Sequence, residues 1–148
     1  MSTGSQRANG LVVRTYSAED LPTVIDLWDR CGLLRPWNNP VKDICRKLEA
    51  NSDWFLVAVA RNEIVGSIMV GYEGHRGWIN YLAVDPSRRR QGIGRRLMEQ
   101  AEDLLRKAGC PKLNLQVRSA NKEVADFYAS LGYLRDDVIS LGKRLDAD

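Results

Sequence analysis

The stretch that most restricts the fold is residues 78–107. There an apolar run, WINYLAV, gives way to DPSRRRQGIG and then to a long amphipathic stripe. Trp78 to Val84 predicts a strand, and Asp85-Pro86-Ser87 breaks it. From about Gly92 to Lys107, the residues Ile93, Leu97, Met98, Ala101, Leu104 and Leu105 recur on one helical face. Ala108 extends that face, Gly109 stops the helix and Pro111 follows. A strand that turns into a helix leaves the first helical N–H groups unpaired at the turn, with a partial positive charge. Arg88, Arg89, Arg90, Arg95 and Arg96 crowd this turn with no carboxylate between them. Forked arginine donors, helix N–H groups and glycines without a Cβ together predict an anion site suited to a pyrophosphate.

The surrounding pattern is mixed. Leu11 to Tyr16 predicts a strand, and Ser17 before Ala18-Glu19-Asp20 predicts a helix cap. Leu21, Val24, Ile25 and Trp28 carry that helix to Gly32, and prolines keep LLRPWNNP irregular. Val41 to Ala50 predicts a second helix with Ile44 and Leu48 facing inward. WFLVAVA and Ile64 to Tyr72 are strands, and Glu73-Gly74-His75-Arg76-Gly77 is a hairpin connection into Trp78 to Val84. After the long helix, Lys112 to Arg118 is a strand and Asn121 to Leu131 a helix stopped by Gly132. Its stripe is Val124, Ala125, Tyr128 and Leu131, and Tyr133 to Leu145 fits one or two closing strands. A meander followed by an α–β–α–β half is an α/β chain of mixed order. The expected organisation is one domain over 11–148 behind a small, polar, flexible tail over 1–10.

Composition narrows the function. A net charge of +3 is too mild to imply nucleic acid, and no aromatic residue for base stacking lies between Asp85 and Lys112. Glu99, Glu102 and Asp103 on the helix would repel a phosphate backbone. His75 is the one histidine, so no metal is expected. Three scattered cysteines, Cys31, Cys45 and Cys110, form no CxxC pair and read as reduced thiols of a cytoplasmic protein. No apolar run is long enough for a membrane span.

Among phosphate loops, GxxxxGK[ST] does not occur, and GxGxxG fails because Leu97 stands in its last position. Arg89-Arg90-Gln91-Gly92-Ile93-Gly94 has the form [QR]xxGx[GA]. With INYLAVDPSRRRQGIGRRLM around it and NKEVADFYASLGY at 121–133, it resembles the GNAT acetyltransferase family over roughly 11–145. LLRPWN, GYEGHRG and SLGKRL are similar to that family's small bacterial YpeA-type branch.

The resemblance implies the GNAT acyl-CoA N-acyltransferase fold, with a central, mostly antiparallel mixed sheet flanked by helices. It implies acetyl-CoA as acyl donor, with its pyrophosphate on Arg89, Arg90, Gln91, Gly92, Ile93, Gly94 and Arg95. Leu82 and Val84 would pair with pantetheine through their backbone. Asn121 would hold the pantetheine or nucleotide arm, beside capping its helix. Tyr128, in the family's tyrosine position, would serve the leaving thiolate as hydrogen-bond donor and acid.

The acceptor is expected to be an amine, on a small molecule or a protein, attacking directly in a ternary complex. No cysteine sits in a motif that suggests an acyl-enzyme. The strand offers Asn80 and Tyr81 where many family members place a glutamate, so the general base stays unassigned among Glu73, His75 and a water relay to a carbonyl or to Tyr81. Arg35, Trp37 and Asn38 are expected to line the acceptor groove. The missing strand carboxylate leaves an acyl-CoA-binding sensor of the same fold as an alternative. Monomer and homodimer both remain open, and neither nucleic acid nor membrane is expected as a partner.

Overall fold

A computed structural model describes residues 10–148, so the expected flexible tail lies, but for Gly10, outside the described residues. Five strands form one sheet in the order β1 (Leu11–Thr15), β2 (Phe55–Ala60), β3 (Glu63–Tyr72), β4 (Gly77–Val84) and β5 (Leu113–Asn114). The first four are antiparallel neighbours, and β5 joins β4 in parallel. The helices are α1 (Leu21–Arg30), α2 (Pro40–Asn51), α3 (Ile93–Lys107) and α4 (Lys122–Ser130).

Both sheet faces are covered, which is why β2 reads as an unbroken apolar run rather than an alternating one. On one face Leu56, Ala58, Ile68 and Val70 pack with Ile93, Leu97, Met98 and Ala101 of α3. On the other, Phe55, Val57 and Met69 pack with Val24, Leu27 and Trp28 of α1 and Ile44 of α2. Asp20 closes the start of α1: its carboxylate takes the Ser17 N–H at 2.9 Å and both forks of Arg14 at 2.8 and 2.9 Å. That ion pair holds the Asp20 carboxyl below its ordinary value against the cost of burial.

Four expectations need correction. Tyr133 to Leu145 forms no strand, and its Leu134, Val138, Ile139, Leu141 and Leu145 stand exposed. The strand expected over Lys112 to Arg118 is regular only at Leu113–Asn114, because no second neighbour flanks it to continue the ladder. Leu48 is not buried: it follows Ile44 by one turn on nearly the same side of α2 but stands 36% exposed. Pro40, expected in the irregular link, is the first residue of α2, where a missing N–H costs nothing.

The part of the sheet that shapes the site is a bulge in β4. Ser67 pairs with Ala83 and Met69 with Asn80, so Tyr81 and Leu82 together face Ile68 alone. The extra residue shifts the side-chain parity. Ile79 belongs to the α3 face, yet Tyr81 and Ala83 belong to the α1–α2 face. Tyr81 accommodates the turn at φ +51°, a left-handed conformation that a bulky side chain rarely adopts.

Candidate active site

β4 and β5 hydrogen-bond only at Gly77↔Leu113 and Trp78↔Asn114. Among the described residues no strand lies on that side of β4 from Ile79 to Val84, so the sheet opens toward the end of the strand. Leu82 and Val84 both border this opening. The Val84 carbonyl already accepts a weak bond from the Cys31 thiol at 3.2 Å. Burial pushes that thiol up despite Arg89 beside it, so Cys31 stays protonated.

At the wide end of the opening stands the N-terminus of α3. Asp85 caps the turn before it, its side chain taking the Ser87 N–H at 3.0 Å. Arg90 at φ +65° and Gly92 at φ +82° curl the loop into the helix, and a Cβ on Gly92 would meet nothing within 4 Å. Gly94 is needed for a different reason: a Cβ there would lie 3.0 Å from Phe127 of α4. Among the described residues only Arg88 of the five loop arginines reaches a carboxylate, Glu63 at 3.9 Å. Arg88, Gln91, Gly92, Ile93, Arg95 and Arg96 line a hollow of about 750 Å³ with Arg61. Arg96 Nη1 is buried there without a hydrogen-bond partner among the described residues. An orphaned guanidinium N–H and an open glycine cradle are what a phosphate-bearing cofactor would satisfy.

Tyr128 lies beneath the opening, buried and set edge-on to Phe127 and Tyr133 at 5.1 and 5.8 Å. Burial pushes its phenol up to about 12. It lines a cleft of about 1860 Å³ with Trp78, Asn80, Val117 and Ile139. Asn121 caps α4, accepting the Val124 N–H at 3.2 Å, and its residue remains exposed at the edge.

On the opposite face the bulge delivers Tyr81 to α1 and α2. Its ring stacks on Trp28 at 3.8 Å, and its hydroxyl donates to Asp43 of α2 at 2.5 Å. Trp28 Nε1 donates to the buried Ser67 hydroxyl at 2.8 Å, and Ser67 donates to the Tyr81 carbonyl at 2.9 Å. Burial and the Asp43 carboxylate drive the Tyr81 phenol far above its ordinary value, so it stays neutral. Sequence reading found Tyr81 but neither Asp43 nor Ser67. Their partners lie 38 and 14 positions away, and only the bulge brings them together.

The other candidates separate. Arg35 donates to its own loop carbonyls at Gly32 (2.7 Å) and Leu34 (3.2 Å). Trp37 is half-exposed under the Arg118 guanidinium at 5.5 Å, and Asn38 accepts from Arg144 at 3.2 Å. Glu73 accepts the His75 and Arg76 N–H groups of its own hairpin at 2.8 and 2.5 Å, which holds its carboxyl down. His75 is six residues from Tyr81 at the far end of β4, roughly 20 Å along an extended strand. Among the described residues no group of side chains could hold a metal, and no helix is long and apolar enough to cross a membrane.

Comparison with known proteins gives one answer. The acetyltransferase (GNAT) family model matches residues 19–133. An acetyltransferase of Sodalis glossinidius is 50% identical over 137 residues, 92% of this chain and 96% of that one. An aminoglycoside acetyltransferase from an uncultured soil metagenomic sample, crystallised with trehalose, superposes with a TM-score of 0.72. It is 26% identical, over 95% of this chain and 99% of that one. The PaiA N-acetyltransferase from Thermoplasma acidophilum, in complex with coenzyme A, shares the fold. Its TM-score is 0.75 at 22% identity, over 87% of this chain and 92% of that one.

Proposed function

Because this chain belongs to the GNAT acetyltransferase family, we propose that it transfers the acetyl group of acetyl-CoA to a primary amine by direct attack in a ternary complex. The observation that carries this reading is the open side of β4, ending at a helix N-terminus ringed by arginines of which, among the described residues, only Arg88 meets a carboxylate. Pantetheine, an extended chain of amides, would lie along Ile79 to Val84 as an added strand. Its pyrophosphate would meet Arg89, Arg90, Gln91, Gly92, Ile93, Gly94 and Arg95. The thioester would then sit near the bulge, between Tyr128 on one side and Tyr81 on the other.

The amine nitrogen attacks the thioester carbonyl, the C–S bond breaks, and the nitrogen loses a proton. Tyr128 serves the departing thiolate as a hydrogen-bond donor. Burial pushes its phenol up to about 12, which favours the form that keeps its proton and donates. The proton that neutralises the thiolate therefore comes from the ammonium or from water. Tyr81 gives its own hydrogen to Asp43, which leaves its oxygen lone pairs to accept from the incoming amine. Asp43 thus supplies, from α2, the negative charge that β4 lacks.

The test is isothermal titration with acetyl-CoA on the wild type and on Gly92→Glu, followed by CoA release across a panel of amines. Saturable binding lost in the variant, with CoA released from at least one amine, is the expected result. Binding without release from any amine would leave an acyl-CoA sensor, and no binding to folded protein would overturn both readings.

A further inference from the structure

The amino end of α2 holds a charged group of its own chain. Asn39 caps this 12-residue helix, its side chain accepting the Val41 and Lys42 N–H groups at 3.1 Å each. The Asn39 N–H itself donates to the Asp148 carboxylate at 2.7 Å. Arg46, in the second turn of the helix, reaches the same carboxylate at 3.2 and 3.3 Å. Lys42 Nζ reaches the Asp148 carbonyl at 3.3 Å. Arg46 also grips Asp43 at 2.6 Å, and Asp43 holds the Tyr81 hydroxyl. One ionic chain therefore runs from the bulge to Asp148.

What brings Asp148 here is weak. The segment that carries it, from Tyr133 onward, has no helix or strand, and five of its apolar side chains face solvent. Its other tie to this region is Arg144 to Asn38 at 3.2 Å. Little apolar burial supports the placement, so the carboxylate is held by the charges that receive it. Without Asp148 the pocket keeps Lys42, Arg46 and a helix N-terminus against the single charge of Asp43. One anion restores the balance.

We propose that Asn39 N–H, Lys42 and Arg46 form a carboxylate subsite of the acceptor groove, which the chain's own Asp148 occupies until an acidic acceptor displaces it. The acceptor class is an amine that also bears a carboxylate: its nitrogen lies toward Tyr81 and Asp43, and its anion lies where Asp148 now sits. This last step rests on the acetyltransfer reading; the subsite itself does not. A tethered occupant competes as a local ligand, so intact chain binds a free carboxylate more weakly by the fraction of molecules left open.

The experiment titrates full-length wild type, Asp148→Ala and Asp148→Ala/Arg46→Gln with succinate, which cannot be acetylated. The readout is the Asn39 amide resonance. Asp148→Ala is expected to saturate at about tenfold lower succinate than wild type, as for a tail seated in roughly nine molecules of ten. Adding Arg46→Gln should abolish the shift, and Lys42→Gln serves if that variant does not fold. No saturable shift in Asp148→Ala, or one that survives the added loss of Arg46 (or of Lys42 in its place), overturns the subsite. A second arm compares γ-aminobutyrate with 1,4-diaminobutane as acceptors. Asp148→Ala should lower KM for the first and leave the second unchanged. If succinate binds as expected but neither amine releases CoA, the subsite stands and its acceptor role falls. If succinate fails while diaminobutane is acetylated, transfer stands and the subsite is overturned.

Discussion

The two ends of the groove treat their arginines in opposite ways. At the start of α3, Arg89, Arg90, Arg95 and Arg96 crowd together, and among the described residues none of them meets a carboxylate. At α1 and α2 the cations are engaged. Arg30 binds Asp26 and Asp85, Arg46 binds Asp43 and Asp148, and Arg35 is spent on loop carbonyls. Like charges gathered without partners raise the energy of the empty site and lower it sharply when an anion arrives. Paired cations instead hold their carboxylates in place, and an acceptor must compete with those pairs. On the proposed reading, the first end suits one strong ligand and the second suits exchange.

The largest effect should come from placing a negative charge at the unpaired end. Gly92→Glu puts a carboxylate in the phosphate cradle and strains a residue at φ +82°. We expect acetyl-CoA affinity to fall by about 100-fold or more, roughly 3 kcal/mol, by titration calorimetry. Unchanged affinity would end the contrast between the two ends.

Next is Tyr81→Phe, which removes one hydroxyl at the paired end. Turnover should fall about tenfold or more while acetyl-CoA affinity holds, and chemical denaturation should show a loss of about 1 kcal/mol. If acetyl-CoA binding weakened as much as turnover, Tyr81 would belong to the cofactor side.

Arg14→Ala tests the paired side through pH. Asp20 is depressed in the fold, so its contribution is present above its unfolded value near 3.9 and is lost as pH falls below it. Without Arg14 the folded carboxyl titrates higher. Stability at pH 7 should drop by about 1–3 kcal/mol, and acid unfolding should begin at higher pH than in wild type. Matching acid limbs for the two proteins would remove Arg14 as the cause.

The smallest effect is expected from Glu63→Gln. It frees Arg88 from a 3.9 Å surface pair, costs under about 0.5 kcal/mol, and should tighten acetyl-CoA slightly.

The same contrast explains what the sequence disclosed. The anion end is contiguous: strand, glycines, arginines and helix follow one another within 30 residues, so composition and periodicity expose it directly. The meander was legible for the same reason, since each strand runs between turn residues. The proposed acceptor end is assembled from Trp28, Asp43, Ser67, Tyr81 and Asp148, which share no motif and meet only after folding. The bulge was hidden because WINYLAV alternates well enough to pass as a regular strand. Its parity shift appears only against Ile68 of the neighbouring strand. Tyr133 to Leu145 misled for the opposite reason. Its apolar residues suit a strand, but β propensity reflects packing against neighbours, and this segment meets Lys112 and Gln116 through the side chains of Asp136 and Ser140 while its apolar residues stay exposed.

The short pairing of β4 with β5 carries a consequence for how long the protein lasts. Among the described residues two register pairs fasten that seam, and the amides between Ile79 and Val84 that point away from β3 face it without a strand partner. A ligand lying there fastens the seam from outside the chain. The amides along it should then exchange with deuterium more slowly, and the melting temperature should climb with donor concentration. A hundredfold excess over Kd adds about 2.7 kcal/mol. Proteases that act on transiently opened chains would sense the same difference, so the survival of this protein would follow the supply of its own acyl donor.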